Sequence, residues 1–170
     1  VSLTCIPRII VPIIPYTEKY RPTKFSDLIG QTKAQEFLSA AVRTGRLPKA
    51  LLIHGPFSAG KTTCARITAQ AMLCNAPVKG DACDQCGSCK AFEAGTNTDF
   101  YNVDAASDRG IDAMRDLVKS IGNMPMLAKH RVVILEECHM LTGIAYQAML
   151  TTLEKPPKHA IFILATTNPE

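Results

Sequence analysis

Residues 50–62 are Ala50-Leu-Leu-Ile-His-Gly-Pro-Phe-Ser-Ala-Gly-Lys-Thr62, an apolar run followed by a glycine-bounded loop that leads into a lysine and a threonine. The run over 50–54 predicts a buried parallel strand. The loop fits the pattern G-x-x-x-x-G-K-[ST], in which glycine lets consecutive backbone N–H groups turn inward around an anion. Residues 63–73 predict a helix with the apolar members Ala65, Ile67, Ala69, Met72 and Leu73. This order predicts an α/β fold with a phosphate-binding loop.

The loop supplies the first candidate binding residues. Lys61 is expected to place its charge on the β- and γ-phosphates of a nucleotide, and the Thr62 hydroxyl to bind Mg²⁺. The N-terminus of the following helix adds donors and its dipole. A chance turn of glycine and lysine is the alternative, and the flanking strand and helix argue against it. The backbone expected to surround the phosphates belongs to Gly55, Pro56, Phe57, Ser58, Ala59 and Gly60.

A second apolar run, 131–135, ends in the carboxylates Glu136 and Glu137. Carboxylates directly after a buried strand lower the stability of the fold unless they face a cation or water, because burying an unpaired charge costs free energy. We expect Glu136 to help place Mg²⁺ and Glu137 to orient or polarise a hydrolytic water. The alternative is a strand that runs out into a solvated acidic turn, and the upstream phosphate-binding loop argues against it.

A third apolar run, 160–165, leads to Thr166, Thr167 and Asn168 at the same end of the predicted sheet. Polar side chains at this position would reach the γ-phosphate or its water, and Thr167 joins Lys61 and the two glutamates as a candidate catalytic residue. Taken alone, Thr-Thr-Asn is typical of an ordinary strand-end turn. Its place after a buried strand is what supports the functional interpretation.

Four of the seven cysteines follow the spacing C-x₈-C-x₂-C-x₂-C, at Cys74, Cys83, Cys86 and Cys89. Four thiolates within sixteen residues suffice for a closed tetrahedral metal site, which leaves no position for water and is therefore structural. Zinc is the favoured metal, and an iron–sulfur centre is the alternative. A pair of disulfides suits a secreted protein rather than one with a phosphate-binding loop. Free thiols are expected at Cys5, Cys64 and Cys138.

With these motifs, the sequence resembles the N-terminal AAA+ ATPase domain of the gamma/tau subunits of bacterial DNA polymerase III clamp loaders. The resemblance runs from about Tyr16 to Glu170 and includes the cysteine spacing. Its other motifs are Glu18-Lys-Tyr-Arg-Pro22, Phe25-Ser-Asp-Leu-Ile-Gly-Gln31, Asp104-Ala-Ala-Ser107, His139-Met-Leu141 and Leu153-Glu-Lys-Pro-Pro157.

The resemblance implies ATP at residues 55–62, with Arg21 and Pro22 beside the adenine, and zinc at the four cysteines. It implies a hetero-oligomer with other clamp-loader subunits that opens a sliding clamp when ATP binds. Hydrolysis would then release the clamp on primer–template DNA. Two alternatives are a non-hydrolysing assembly or stator subunit, similar to delta-prime, and an inactive truncated product.

The sequence departs from the family in two places. The family normally has aspartate where this chain has Glu136, which lengthens the carboxylate by roughly 1.5 Å, so we expect nucleotide binding to survive more readily than turnover. The arginine finger, a fifth strand and a helical lid would lie beyond Glu170. We therefore expect an incomplete AAA+ domain over 16–170, with a zinc module at about 74–89, that receives a finger from a neighbour.

The rest of the chain predicts the remaining elements of a parallel sheet with flanking helices. Helices are expected over 32–44, 108–122 and 143–154, and a strand over 100–103. The strand order of the family implies that the absent fifth strand would pair beside the strand at 50–54. Residues 1–15 are apolar but contain three prolines. They are too short for a membrane span and lack the features of a secretory signal, so we expect a loosely ordered leader and a cytoplasmic protein.

Overall fold

The computed structural model describes residues 16–107 and 111–168. The expected leader at 1–15 and the first residues of the helix expected from 108 therefore lie outside the described residues. The strands are β1 (Ala50–His54), β2 (Phe100–Asp104), β3 (Arg131–Glu136) and β4 (Ala160–Thr166). The helices are α1 (Tyr16–Lys19), α2 (Thr32–Thr44), α3 (Lys61–Leu73), α4 (Gly87–Glu93), α5 (Ile111–Gly122) and α6 (Gly143–Glu154). Single 3-10 turns lie at Phe25–Asp27 and Cys138–Met140.

The four strands form one parallel sheet in the order β1-β4-β3-β2. His54 lies beside Thr166, and Asp104 lies beside Glu136. The carboxyl ends of all four strands therefore meet at one edge of the sheet, where open α/β sheets bind their ligands. The predicted parallel α/β architecture is confirmed.

The two faces of the sheet are covered by different helices. One face packs against α2 and α3 through a cluster that includes Leu38, Leu73, Ile134 and Ile163. The other packs against α5 and α6 through a cluster that includes Met114, Ile121, Met149 and Phe162. The central strands β3 and β4 are buried on both faces, which explains why they are nearly continuous runs of branched apolar residues.

The predicted boundaries hold with small shifts. The helices predicted over 32–44 and 143–154 are confirmed residue for residue. Each of β2, β3 and β4 is one residue longer than predicted and includes the polar residue that follows its apolar run. Because Gly60 caps α3, this helix begins at Lys61 instead of at residue 63. The helix α4 was not predicted; it starts where the Cys86 sulfur accepts a hydrogen bond from the Cys89 N–H.

One edge of the sheet remains apolar and open. Within the described residues β1 pairs only with β4, and Leu52 in its centre is 48% exposed. Phe37 on α2 has the i, i+3, i+4 spacing of a buried helix face with Ala34 and Leu38, yet its side chain is 57% exposed, in a cleft beside β1. This is the edge at which the family resemblance implies a fifth strand, which stays a prediction.

A buried ion pair fixes the opposite end of the sheet. Asp99 and Arg131 are 0% and 5% exposed at their side chains, and Arg131 Nη2 lies 3.2 Å from Asp99 Oδ1. The same carboxylate accepts hydrogen bonds from the N–H groups of Met126, Leu127 and Ala128. Burial works against the charged form, but these donors and the guanidinium outweigh it, so the pKa of Asp99 is lowered. The ion pair thus organises the segment between α5 and β3.

None of the described helices has the length and hydropathy that crossing a membrane requires.

Candidate functional site

The loop between β1 and α3 has the backbone shape of an anion site. Ser58 and Gly60 both have positive φ angles, of 59° and 83°. Space at Gly60 is open, so glycine is favoured there by the left-handed conformation and not by crowding. The turn places the start of α3, with its unpaired N–H groups, directly behind the loop.

Lys61 folds back over this loop. Its Nζ donates hydrogen bonds to the carbonyl oxygens of Gly55 and Pro56, both at 3.0 Å, and lies 5.7 Å from the centre of the Phe57 ring. An ammonium group has three donors, so one remains for an anion in the loop. Lys61 is therefore held over the loop by two carbonyl groups of the loop itself.

The acidic end of β3 meets the phosphate-binding loop. Thr62 Oγ1 donates a hydrogen bond of 2.8 Å to Glu136 Oε2. Because α3 packs against β3, residues 74 positions apart in the sequence are brought together. A hydroxyl and a carboxylate oxygen side by side are ligands that Mg²⁺ prefers.

Glu137 is held by the end of β4. Its Oε2 accepts hydrogen bonds from the N–H and the hydroxyl of Thr167, at 3.3 and 3.1 Å. His139 Nδ1 lies 3.4 Å from the same oxygen and 2.9 Å from Thr166 Oγ1. Glu137 itself has φ 48° and ψ 46°, a left-handed conformation that is unusual for a residue with a side chain. The predicted residues Glu137 and Thr167 therefore lie in direct contact.

A cleft of about 760 Å³ runs along the phosphate-binding loop. One part of its lining is formed by residues 57–58 and 60–63 with Glu137, and the other by Tyr16, Tyr20, Arg21 and Pro22. Arg21 and Pro22, which the resemblance implies lie beside the adenine, thus line the same cleft as the loop, and their contact with adenine stays a prediction. The two tyrosines were missed: their rings stack at 5.9 Å between centroids. Their i, i+4 spacing is a signal for such contact, but a helix of four residues has too short a pattern to single them out.

The four predicted cysteines converge at the other end of α3. Their sulfur atoms all lie within 4.8 Å of one another, and a tetrahedral zinc site requires sulfur separations of about 3.8 Å. Cys74 caps the C-terminus of α3, and its sulfur accepts a hydrogen bond from the N–H of Cys83 at 3.3 Å. The six cysteines in the described part of the chain are all free thiols. The donor set fits a four-sulfur metal site.

The thiols of this cluster differ in acidity. Burial raises the pKa of Cys89, and contacts with Cys86 and Cys74 raise it further. Burial also opposes ionisation of Cys86, but the N–H groups of Asn75 and Cys89 outweigh it and lower its pKa to about 6. Several thiolates this close repel one another unless a cation shares their charge. The cluster could therefore hold a cation, and binding of that cation would release protons from the thiols.

The sequence has close relatives among DNA polymerase III subunits. Residues 30–170 match the protein family described as "DNA polymerase III, delta subunit". The chain is 41% identical over 150 residues to DNA polymerase III subunit gamma/tau of Mycoplasma pneumoniae, which covers 88% of this chain and 22% of that protein. It is 39% identical over 150 residues to DNA polymerase III subunit tau of Bacillus subtilis, which covers 88% of this chain and 27% of that protein. It thus spans about a quarter of the length of these relatives.

The fold has neighbours among solved structures. A DNA polymerase III gamma subunit-related protein of Thermotoga maritima matches with a TM-score of 0.57 and 22% identity, over 76% of this chain and 39% of that one. The RuvB Holliday junction branch migration motor of Thermotoga maritima matches with a TM-score of 0.54 and 21% identity, over 87% of this chain and 41% of that one. At these identities the likeness shows the fold alone, which is that of AAA+ proteins.

Proposed function

Because the chain belongs to the family of DNA polymerase III gamma/tau subunits, we propose that it binds ATP with Mg²⁺ as one subunit of a sliding-clamp loader. The observation that carries the proposal is the 2.8 Å hydrogen bond from Thr62 Oγ1 to Glu136 Oε2. It joins the phosphate-binding loop to the acidic end of β3, so two oxygen ligands suited to Mg²⁺ lie next to the phosphate-binding lysine.

The loop binds the phosphates through its backbone and one charge. The N–H groups of residues 57–60 and of the first turn of α3 donate to phosphate oxygens, and Lys61 neutralises the β- and γ-phosphates. Thr62 and Glu136 would hold Mg²⁺, which when bound offsets the negative charge of the phosphates. Lys61 exchanges its hydrogen bonds with Gly55 and Pro56 for bonds to the phosphates, and its position over the loop keeps that movement small.

Glu137 is proposed to act on the water that attacks the γ-phosphate. As an ionised carboxylate it accepts a hydrogen bond from that water and orients it. The contacts of Glu137 with Thr167 favour a fixed position for the carboxylate, and Thr167 can exchange them for contacts with the γ-phosphate. In AAA+ proteins the arginine finger of a neighbouring subunit completes such a site, so we propose that the isolated chain hydrolyses ATP slowly.

The cysteine cluster is proposed to hold one structural zinc ion. Its four sulfur donors leave no open position, and zinc accepts four thiolates in a tetrahedron. We place the cluster, at about 74–89, within a single AAA+ domain over residues 16–170. Metal binding there closes the segment that follows α3 and stabilises it against unfolding.

The proposed role in replication follows from the family. ATP binding is coupled to opening of the sliding clamp, and hydrolysis to its release on primer–template DNA. The partners are other clamp-loader subunits, the clamp and the DNA, and the compartment is the cytoplasm, where thiols remain reduced. The catalytic class is that of an ATPase within the DNA polymerase III complex.

A second candidate function is that of a non-hydrolysing stator subunit, similar to delta-prime. The match of residues 30–170 to a family described as the delta subunit favours it. Glu136 in place of aspartate also favours it, because the longer carboxylate disturbs the near-octahedral geometry that Mg²⁺ demands. The two functions differ in turnover. In the first the chain hydrolyses ATP once a partner bearing an arginine finger is added, and in the second it binds ATP without hydrolysis.

Titration calorimetry with and without Mg²⁺ tests the nucleotide site. We expect Mg²⁺ to tighten ATP binding in the unaltered chain, and Thr62→Ala to remove most of this Mg²⁺ dependence. Thr151→Ala, at an exposed position of α6, is the matched control and should behave like the unaltered chain. An Mg²⁺ effect of equal size in Thr62→Ala and the control would contradict the proposed metal ligand. An assay of ATP hydrolysis with a partner subunit that supplies an arginine finger then distinguishes the two functions, because only the first includes hydrolysis.

A further inference from the structure

The segment Arg21–Lys24 borders two cavities. Arg21 and Pro22 line the cleft along the phosphate-binding loop. The same two residues, with Thr23, also line a second cavity of about 330 Å³, whose other walls include Gln70 and Asp84. A segment whose residues line two cavities is not positioned by packing alone. Its position relative to the cleft therefore depends on the contacts that hold it.

Two aspartates of the cysteine module, which we define as residues 74–89, make such contacts. Asp81 Oδ1 accepts a hydrogen bond of 2.8 Å from the N–H of Phe25, whose side chain is buried in the core. Asp84 lies 3.2 Å from Lys24 Nζ and accepts a hydrogen bond, also at 3.2 Å, from Gln70 on α3. Asp84 thus links Lys24 to the helix that begins at the phosphate-binding loop, and Asp81 links the next residue, Phe25, to the cysteine module.

The cysteine module is itself fixed in place. Val78 and Asp81 pair through their backbones around a turn at Lys79 and Gly80. A Cβ atom on Gly80 would lie 2.5 Å from the carbonyl oxygen of Ser39, so this turn packs directly on the backbone of α2. Both aspartates lie between Cys74 and Cys86, two of the proposed metal ligands. Metal binding therefore fixes the carboxylates that hold the cleft wall.

We infer that Asp81 and Asp84 are positioning residues for the nucleoside part of the nucleotide, an inference that rests on the proposed function. Phosphates bound to the loop leave the nucleoside to the opposite wall, where Arg21 and Pro22 lie. Asp81 and Asp84 contact neither the loop nor the phosphates. They set the wall against which the nucleoside binds, and through them the metal at the cysteine module is linked to nucleotide affinity.

A comparison of two ligands isolates this role, because inorganic tripolyphosphate carries the phosphates of ATP without the nucleoside. Calorimetry with Mg²⁺ would measure both ligands on the unaltered chain and on Asp81→Ala. We expect Asp81→Ala to lower the affinity for ATP by about five- to tenfold and the affinity for tripolyphosphate by less than about twofold. Asp81→Asn keeps an oxygen acceptor for the Phe25 N–H, and should retain the affinity of the unaltered chain for both ligands.

Metal content is the second readout of the same experiment. Elemental analysis should find as much zinc in Asp81→Ala as in the unaltered chain, because none of the proposed metal ligands has been changed. Removal of the metal from the unaltered chain with a chelator should reproduce the selective loss of ATP affinity.

Each contrary result has a definite meaning. Equal loss of ATP and tripolyphosphate in Asp81→Ala, loss of its zinc, or unchanged ATP affinity would overturn the inference while leaving the phosphate site intact in the unaltered chain. An unaltered chain that binds neither ligand would instead overturn the proposed function, and the inference with it.

Discussion

The two ends of α3 were predictable from the sequence to different degrees. At its N-terminus, Lys61 contacts the loop and Thr62 contacts Glu136, and the roles that the motif predicts for them toward phosphates and Mg²⁺ stay predictions. At its C-terminus the sequence predicted the four cysteines as a cluster, but not how the module around them contacts the rest of the chain. A contiguous motif specifies its ligand atoms through local geometry. Docking contacts such as that of Asp81 with Phe25 join residues 56 positions apart and leave no such pattern.

The largest expected effect at the cysteine end comes from Cys89→Ser. This cysteine is buried within the cluster, and structural zinc sites contribute apparent binding free energies of about 10–16 kcal/mol in small peptides. We expect bound zinc to be lost and the midpoint of thermal unfolding to fall, while tripolyphosphate still binds at the other end of the helix. Cys138→Ser, outside the cluster, is the control and should keep its metal. Full zinc content in Cys89→Ser would rule out the four-sulfur site.

The next largest effect is expected at the buried ion pair of Asp99 and Arg131, which lies away from both ends of α3. Asp99→Asn would leave the buried Arg131 without its counter-ion, and breaking a buried pair in this way costs about 3–5 kcal/mol of unfolding free energy. Chemical denaturation measures this change. Because neither end of α3 is touched, zinc content and tripolyphosphate affinity should stay unchanged in the protein that remains folded. A cost below about 1 kcal/mol, the range of exposed pairs, would show that the pair is not buried as described.

The same aspartate predicts how stability depends on pH. Its pKa is lowered in the folded protein, so its contribution is fully present above the unfolded value of about 3.9. That contribution is lost as the pH falls from about 3.9 through the lower folded value, because the unfolded chain then binds the proton more readily. Denaturation curves between pH 7 and pH 2 should show a smaller acid-induced loss in Asp99→Asn than in the unaltered chain. Equal acid sensitivity in the two proteins would contradict this assignment.

The smallest expected effect is at the phosphate end. The side chain of Glu136 reaches the Thr62 hydroxyl directly, at 2.8 Å, and must withdraw for a cation to lie between them. Glu136→Asp shortens the side chain and makes that room. We expect ATP hydrolysis, measured with a partner subunit that supplies an arginine finger, to rise about three- to tenfold, or up to about 1.4 kcal/mol in the barrier. An unchanged or lower rate would show that the glutamate does not limit turnover.

Much of the fold was predictable because each element has a strong local pattern. The central strands β3 and β4 are nearly continuous apolar runs. The helix α2 ends before Gly45, and α6 ends shortly before the two prolines that follow Lys155. The candidate site was predictable where motif residues end these strands. The carboxyl ends of parallel strands share one edge, so Glu136 lies against Thr62 at the end of the loop and Thr167 lies against Glu137.

The features that the sequence did not reveal depend on contacts between distant residues. Asp99 binds N–H groups 27 to 29 positions further along the chain, and no periodicity distinguishes it from a surface aspartate. The helix α4 is short and begins on a cysteine sulfur, a cap that propensities do not include. Phe37 has the spacing of a core residue, but the described part of the chain places no element over it. Tertiary context decided each of these cases.

Titration calorimetry of Mg²⁺-ATP against the unaltered chain and Lys61→Ala tests the central claim most directly. Lys119→Ala, an exposed lysine on α5, is the control. The account predicts binding by the unaltered chain and the control, and a loss of about a hundredfold or more in Lys61→Ala, because two charge-assisted hydrogen bonds are removed. Zinc content should be the same in all three proteins. Equal ATP affinity in Lys61→Ala and the unaltered chain would contradict the assignment of this loop as the phosphate site.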